Sequence, residues 1–306
     1  VINISAYIKG LAKEEGFMYC GIAKAMRLEE DERRLAMWLQ KGMQGKMAYM
    51  ENHFDLRVDP TKLVPGAKSV ITFLMNYFPS EQQLPEVPKI ARYAWGEDYH
   101  EVIRAKLRTI MTSIETTIGE INGRGFVDSA PVLERAWALR SGLGWVGKNG
   151  NLITKSAGSY FFIATLITDL AMDYDDPYNK DYCGSCNRCV EACPTEAILP
   201  GKVIDGSRCI SYFTIELKDA VLPQEMSGKF GDWMFGCDIC QEVCPWNRFA
   251  EPHKEEKFRP IPDLLSFTQK DWEALTEEGF KKTFKHSPLK RTKFSGIQRN
   301  VKFIKK

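Results

Sequence analysis

The 306-residue chain is 44% hydrophobic and 27% charged with a net charge of +2, a globular composition with room for two domains or one large one. Its longest apolar run, residues 160–167, is too short to cross a bilayer, and "VINISAYIKGLAKEEG" has neither a basic leader ahead of an apolar core nor a twin-arginine pair. Membrane and exported classes are therefore set aside, and a cytoplasmic protein whose N-terminus is a helix of the mature fold is expected. Charge is uneven: residues 280–306 hold ten Lys/Arg and no acid, against 32 bases and 40 acids elsewhere. A basic end on an acidic body reads equally as a contact for a polyanion and as a solvated or disordered tail.

In chain order, Ile4, Ile8, Leu11 and Ala12 keep helical spacing, "GFMYCGIA" reads as a strand with Cys20 as a small core residue, and "EDERRLAMWLQKG" as a helix stopped at Gly42. "SVITFLMNYF" reads as a strand. Residues 98–120 place Ile103, Leu107, Ile110, Met111, Ile114 and Ile118 on one helical face. "GFVDSAPVLERAWALRSG" reads as strand, short loop and helix, with Pro131 near the first turn, and "SYFFIATLITDL" as a strand buried on both faces. Alternating strands and helices predict an α/β sheet. "DYDDPYNKDY" marks a boundary. The expected units are an α/β domain at 1–175, a cysteine module at 176–250 and a basic helical segment at 251–306.

Eight of the nine cysteines fall between 183 and 244, too clustered in a leaderless chain for a disulfide framework. Cys183, Cys186, Cys189 and Cys193, followed by Pro194, have the C-x2-C-x2-C-x3-C-P spacing of bacterial ferredoxins, in which the cysteine before proline serves the other [4Fe-4S] cluster. The second run, Cys237, Cys240 and Cys244 before Pro245, lacks one ligand, which Cys209 supplies. One cluster is thus assigned Cys183, Cys186, Cys189 and Cys244, the other Cys193, Cys209, Cys237 and Cys240. Paired zinc sites are the competing reading. The spacing favours clusters, and hence a wire for single electrons that feeds chemistry elsewhere.

"GLGWVG" at 142–147 matches G-x-G-x-x-G, but it follows a helix instead of a strand, which argues against a nicotinamide site and leaves open a loop approaching another flat cofactor. "DYHEVI" at 98–103 falls short of a D-x-H-x-x-G cobalt-ligand signature because Ile103 takes the glycine place, so His100 is read as a surface residue.

"SAPVLERAWALRSGLGWVGKNGNLI", "SYFFIATLIT", "CGSCNRCVEACPTEAI", "RCISYFTIE" and "GCDICQEVCPWN", in this order over nearly the whole chain, resemble the epoxyqueuosine reductases. That resemblance implies a cobalamin-binding α/β core like that of reductive dehalogenases, a ferredoxin-like two-[4Fe-4S] module and a helical C-terminal segment. "GIQRNVKFIKK" looks like the start of the HEAT-like repeat that members often carry. It implies reduction of the epoxide of epoxyqueuosine in a tRNA anticodon loop by a monomer fed by an external low-potential electron donor. Cobalamin (B12) would supply a cobalt nucleophile, and a nearby acid must protonate the leaving oxygen. Asp128 matches the family's proton donor. Read from the residues alone it is as readily an N-cap, and a helix N-terminus would lower its pKa, the wrong direction for an acid. Arg57, Leu152, Ser211 and Asp238 match corrin-lining positions. Ser211 and Asp238 lie beside Cys209 and Cys237, which puts the second cluster nearer the corrin. Glu216, Lys218 and the basic residues of 281–306 are candidates for tRNA contact. Two readings compete: a reductive dehalogenase acting on a small molecule, which leaves the basic end unexplained, and a dicluster electron carrier, for which some 175 leading residues are excessive.

Overall fold

The computed structural model describes residues 2–304. Its centre is a four-stranded sheet of β1 (Tyr19–Lys24), β2 (Ser69–Asn76), β3 (Gly123–Phe126) and β4 (Phe161–Thr168), in spatial order β1-β2-β4-β3. Every pairing is antiparallel, with Ser69 opposite Thr168 and Asn76 opposite Phe161 across the central pair. Alternation of strands with helices fixes only that helices flank the sheet; the strand directions come from the connections.

The central strands are apolar on both sides because both sides are covered. Ile71 and Phe73 of β2 and Leu166 of β4 face Ile8 and Ala12 of the first helix, Ile4–Glu14, and Ile103, Leu107, Ile110 and Ile114 of the long helix, Tyr99–Ile118. Val70 and Ile167 face the other way, onto Trp137 of the helix Glu134–Arg140. The long helix begins at Asp98, whose side chain accepts the His100 N–H. The helix Glu134–Arg140 starts three residues beyond Pro131, and its N-cap is Leu133. Asp128 is therefore not an N-cap; it sits in the preceding loop with φ 52. Gly142, at φ 75, ends this helix, and the glycine loop enters the short hairpin Trp145–Val146 with Leu152–Ile153. A Cβ on Gly144 would lie 2.2 Å from the Ile153 carbonyl oxygen, so the close approach that requires glycine is to the chain's own backbone.

Residues 183–244 carry two short helices, Arg188–Ala192 and Ile239–Glu242. Trp233–Phe235 pairs in parallel with Lys89–Ile90. The basic end is folded. Trp272, Phe280, Phe284, Leu289, Ile297 and Val301 form one buried cluster with Ile90, Trp95, Met234 and Phe235. Asn300 donates to the carbonyls of Thr214 and Met234 at 2.8 and 2.9 Å, and Arg299 to those of Leu217, Asp219 and Phe213. A solvated tail is thus corrected to a packed segment, because its aromatic residues need cover and the module supplies it; Lys305 and Lys306 lie outside the described residues. Trp272→Ala, which empties a fully buried site stacked on Phe284 at 5.7 Å, is expected to cost ~3–5 kcal/mol in denaturant unfolding, where a disordered end would give no change.

Candidate functional site

The left-handed backbone at Asp128 turns its carboxylate toward the start of the long helix. Tyr99 Oη donates to Asp128 Oδ2 at 2.5 Å, and His100 Nε2 stands 3.7 Å from the same oxygen. The Asp128 peptide N–H is held by Glu134 Oε1 at 2.8 Å. His100 is not a free surface residue: its ring is 21% exposed, its Nδ1 is 2.8 Å from Asp98 Oδ1, and it stacks on Tyr99 at 4.1 Å. The Asp128 side chain is 62% exposed, yet surrounding protein desolvates it strongly, so it is open on one side and walled on the others. Desolvation raises its pKa; the neighbouring His100 imidazole, the Tyr99 hydrogen bond and the charge of Arg291 outweigh that and hold it below the usual carboxylate range.

The opposite wall comes from distant segments. Arg57 is buried, with Nη2 donating to the Tyr49 carbonyl at 2.9 Å and Nε without a partner. Tyr49 lies within electrostatic reach of Glu216, Arg291 and Asp128, and burial pushes its pKa up to about 12. Glu216 is bridged by Arg291 through two contacts of 2.8 Å. Lys218 Nζ donates to the carbonyls of Ile215 and Arg291 at 2.6 and 3.0 Å. Tyr93, half-buried, feels Asp128, Glu216 and Asp238 together. Asp238 is buried and accepts from the Arg92 N–H at 2.8 Å and from Nη1 at 3.3 Å. Leu152 sits in a small core with Leu74, Ala138 and Phe161, and Ser211 hydrogen-bonds Cys209. Asp128 and Glu216 thus lie within electrostatic reach of Tyr49, whose carbonyl Arg57 holds, whereas Leu152 faces the core and Lys218 is spent on carbonyls. Sequence reasoning missed Tyr49, Tyr93, Tyr99 and the role of His100. The run Asp98-Tyr99-His100 at a helix start is the available signal.

Among the thiols, Cys244 lies in electrostatic reach of Cys183 and Cys186, and Cys189 of Cys183 and Cys244. Cys209 feels Cys193, Cys237 feels Cys240 and Cys209, and Cys240 feels Cys209, Cys193 and Cys189. Burial pushes Cys209, Cys237 and Cys240 upward, as it does Cys189 and Cys244. Peptide N–H groups aim at the sulfurs: Ala197 at Cys193 (3.4 Å), Ser211 and Tyr212 at Cys209, Ile239 at Cys237, Trp246 and Asn247 at Cys244. Such donors suit thiolates bearing an anionic iron–sulfur group. Among the described residues no three His, Cys, Asp or Glu side chains converge as they would around a single ion. The orphaned Arg57 Nε and the one-sided opening at Asp128 fit a large polar cofactor between the two walls. A depression of about 930 Å³ lies elsewhere, beside Cys244 and lined by Phe78, Tyr160, Arg188 and Arg248. No helix among the described residues is long and apolar enough to cross a membrane.

A family model described as "Epoxyqueuosine reductase QueG, DUF1730" matches residues 57–129, and one described as "4Fe-4S double cluster binding domain" matches residues 182–247. The chain is 57% identical to an epoxyqueuosine reductase of Cellulophaga algicola over 98% of each chain, and 40% identical to one of Pseudomonas aeruginosa, covering 98% of this chain and 84% of that one. The solved epoxyqueuosine reductase of Streptococcus thermophilus has a TM-score of 0.89 at 31% identity, covering 99% of this chain and 81% of that one. A structure of epoxyqueuosine reductase with an epoxyqueuosine-modified tRNA-Tyr stem loop also gives 0.89 at 31%, covering 98% and 80%. With 57% and 40% identity over 98% of the chain, this protein belongs to the epoxyqueuosine reductases, a family of oxidoreductases.

Proposed function

We propose that this chain reduces epoxyqueuosine to queuosine at the wobble position of tRNA, in the pathway that makes queuosine, using cobalamin and two [4Fe-4S] clusters. The observation that carries the reading is the Asp128 carboxylate, held by Tyr99 beside His100 and within electrostatic reach of Tyr49 and the Glu216–Arg291 pair. Residues 1–175 bind the cobalamin, 176–250 the clusters, and 251–306 close the cleft. Arg57 and Asp128 hold the cofactor, with Leu152, Ser211 and Asp238 supporting its surroundings. Bound there, cobalamin supplies a cobalt nucleophile able to attack a strained carbon. Asp128 stands at the oxygen that leaves and passes it a proton. Cys183, Cys186, Cys189 and Cys244 would hold one [4Fe-4S] cluster and Cys193, Cys209, Cys237 and Cys240 the other, the one nearer the corrin, and the pair would supply single-electron transfer from an external low-potential donor. The chain works as a cytoplasmic monomer. The test is protein loaded with iron, sulfide and cobalamin without oxygen, given tRNA carrying epoxyqueuosine and a strong one-electron reductant. Digested tRNA should contain queuosine; none, with all three groups loaded, overturns the reading.

Phosphate contact falls to the packed C-terminal segment. A depression of about 280 Å³ gathers Lys281, Lys285, Lys290 and Lys293 against Phe284 and Phe294. Lys290 and Arg291 are committed to ion pairs with Asp98, Glu101 and Glu216, whereas Lys285 and Lys293 make none. Reversing Lys285 and Lys293 to Glu should therefore weaken tRNA binding without disturbing the fold, and flatten its log–log salt slope by ~0.7–0.9 per lost contact. Filter binding at several salt concentrations measures this. Wild-type affinity and slope would move the tRNA surface elsewhere.

A further inference from the structure

We propose that His100, held as an imidazolium between Asp98 and Asp128, is the proton reservoir of the site and recharges Asp128 each time the substrate oxygen takes a proton. This rests on the reading of Asp128 as the group at the reacting oxygen. Asp98 Oδ1 accepts the His100 N–H at 3.1 Å and faces Nδ1 at 2.8 Å, while Oδ2 pairs with Lys290 at 2.9 Å. A carboxylate among those donors is ionised and can only accept, so Nδ1 carries a proton. The ring's other nitrogen, Nε2, faces the Asp128 carboxylate. Without a proton there, a lone pair would point at a negative oxygen; with one, repulsion becomes attraction. Stacking on Tyr99, which itself donates to Asp128 Oδ2, fixes the ring in this pose.

Burial pulls the His100 pKa down, but the Asp128 carboxylate facing Nε2 and the hydrogen-bonded Asp98 carry it up to about 9. Asp128 is held low by the same partners. Near neutrality the proton therefore rests on the imidazole, not on Asp128. The other titratable groups around the pair agree with a charged ring. Glu101, one residue on, shares Lys290 and approaches His286. Glu134 holds the Asp128 N–H and is pushed well up by burial. Lys290 and Arg291 reach in from the C-terminal segment, each neutralised by a carboxylate.

In the step itself the Nε2–H bond breaks and a proton forms an O–H bond on Asp128 Oδ2, which passes a proton to the substrate oxygen as its C–O bond breaks. One turnover takes two electrons, from a one-electron donor through the clusters, and two protons. The oxygen leaves as water and the carbon–carbon double bond is restored. His100 refills from solvent through its exposed edge and acts through Asp128, so it is a positioning and relay residue.

The first test needs neither cofactor nor tRNA. The chain has four histidines, His53, His100, His253 and His286, so ring resonances in the cofactor-free full chain can be assigned by single substitutions. His100 should titrate near pH 9, against ~6.5 for an ordinary histidine, and Asp128→Asn should bring it down. A midpoint at or below the ordinary value, or one that Asp128→Asn leaves in place, overturns the proposal even if queuosine is formed; a high midpoint with no queuosine would instead fault the functional reading. In the loaded enzyme, activity that depends on the imidazolium holds below the midpoint and falls as pH rises through it. His100→Gln, which keeps a donor but no transferable proton, should lower turnover and abolish that alkaline limb, and added imidazole should restore turnover to His100→Ala. A slower His100→Gln with the wild-type pH profile would mark a merely structural residue and overturn the relay.

Discussion

Asp128→Asn is expected to lower epoxide reduction by ~10²–10⁴-fold, the range of general acid help, while iron content and folding stay as in the wild type. Asparagine is the informative replacement. Asp128 has φ 52, a region that Asn tolerates and Ala does not, so the loop keeps its shape. Its amide oxygen still accepts from Tyr99. What goes is the negative charge that draws the His100 proton, together with any acidic O–H on that side chain. Single-turnover conversion scored by nucleoside analysis measures the loss; near-normal conversion would remove Asp128 from the mechanism.

Cys244→Ala should take iron and sulfide from about eight to about four per chain and abolish steady turnover, because electrons would lose their entry cluster. The residue is far along the chain from Cys183, Cys186 and Cys189, yet the structure brings it to them. Asn247 fixes the loop just beyond it, donating to the Gln241 carbonyl at 2.7 Å and accepting the Ser159 N–H at 2.7 Å. Iron still at about eight per chain would reject the crossed ligand assignment. Cys20→Ala is the control: Cys20 lies in β1, far from either set in sequence, with its thiol pushed up to about 12 by burial.

The sheet and its helices were legible because their cores repeat with short periods: Ile103, Leu107, Ile110 and Ile114 along one helix face, Phe162, Ala164 and Leu166 along one strand face. The thiol spacing was legible for the same reason, since it is local. The Asp128 loop was not. The residues after it suggest a helix cap, but the carboxylate is claimed instead by Tyr99 and His100 from another element. His100 looked exposed because its second partner is distant in sequence. The packing of the basic end was not legible either. Composition counts its charges but not their partners, and Lys290 and Arg291 find theirs at Asp98, Glu101 and Glu216, far back along the chain. Residue-type reasoning also offered Lys218 for the substrate, where two backbone carbonyls hold its ammonium.

The short parallel pairing of Trp233–Phe235 with Lys89–Ile90 limits how the chain can be divided. A strand from the leading 175 residues is completed by one from the cysteine module, and Ile90, Ala94 and Trp95 are roofed by Trp272, Phe280 and Leu289. The change of composition at residues 173–182 thus does not separate two independent cores. A fragment ending there would bare this apolar surface and leave the Lys89–Ile90 backbone without its partner strand. Recombination that exchanged the cysteine module between distant relatives would have to bring a matching stretch around residues 89–95 with it.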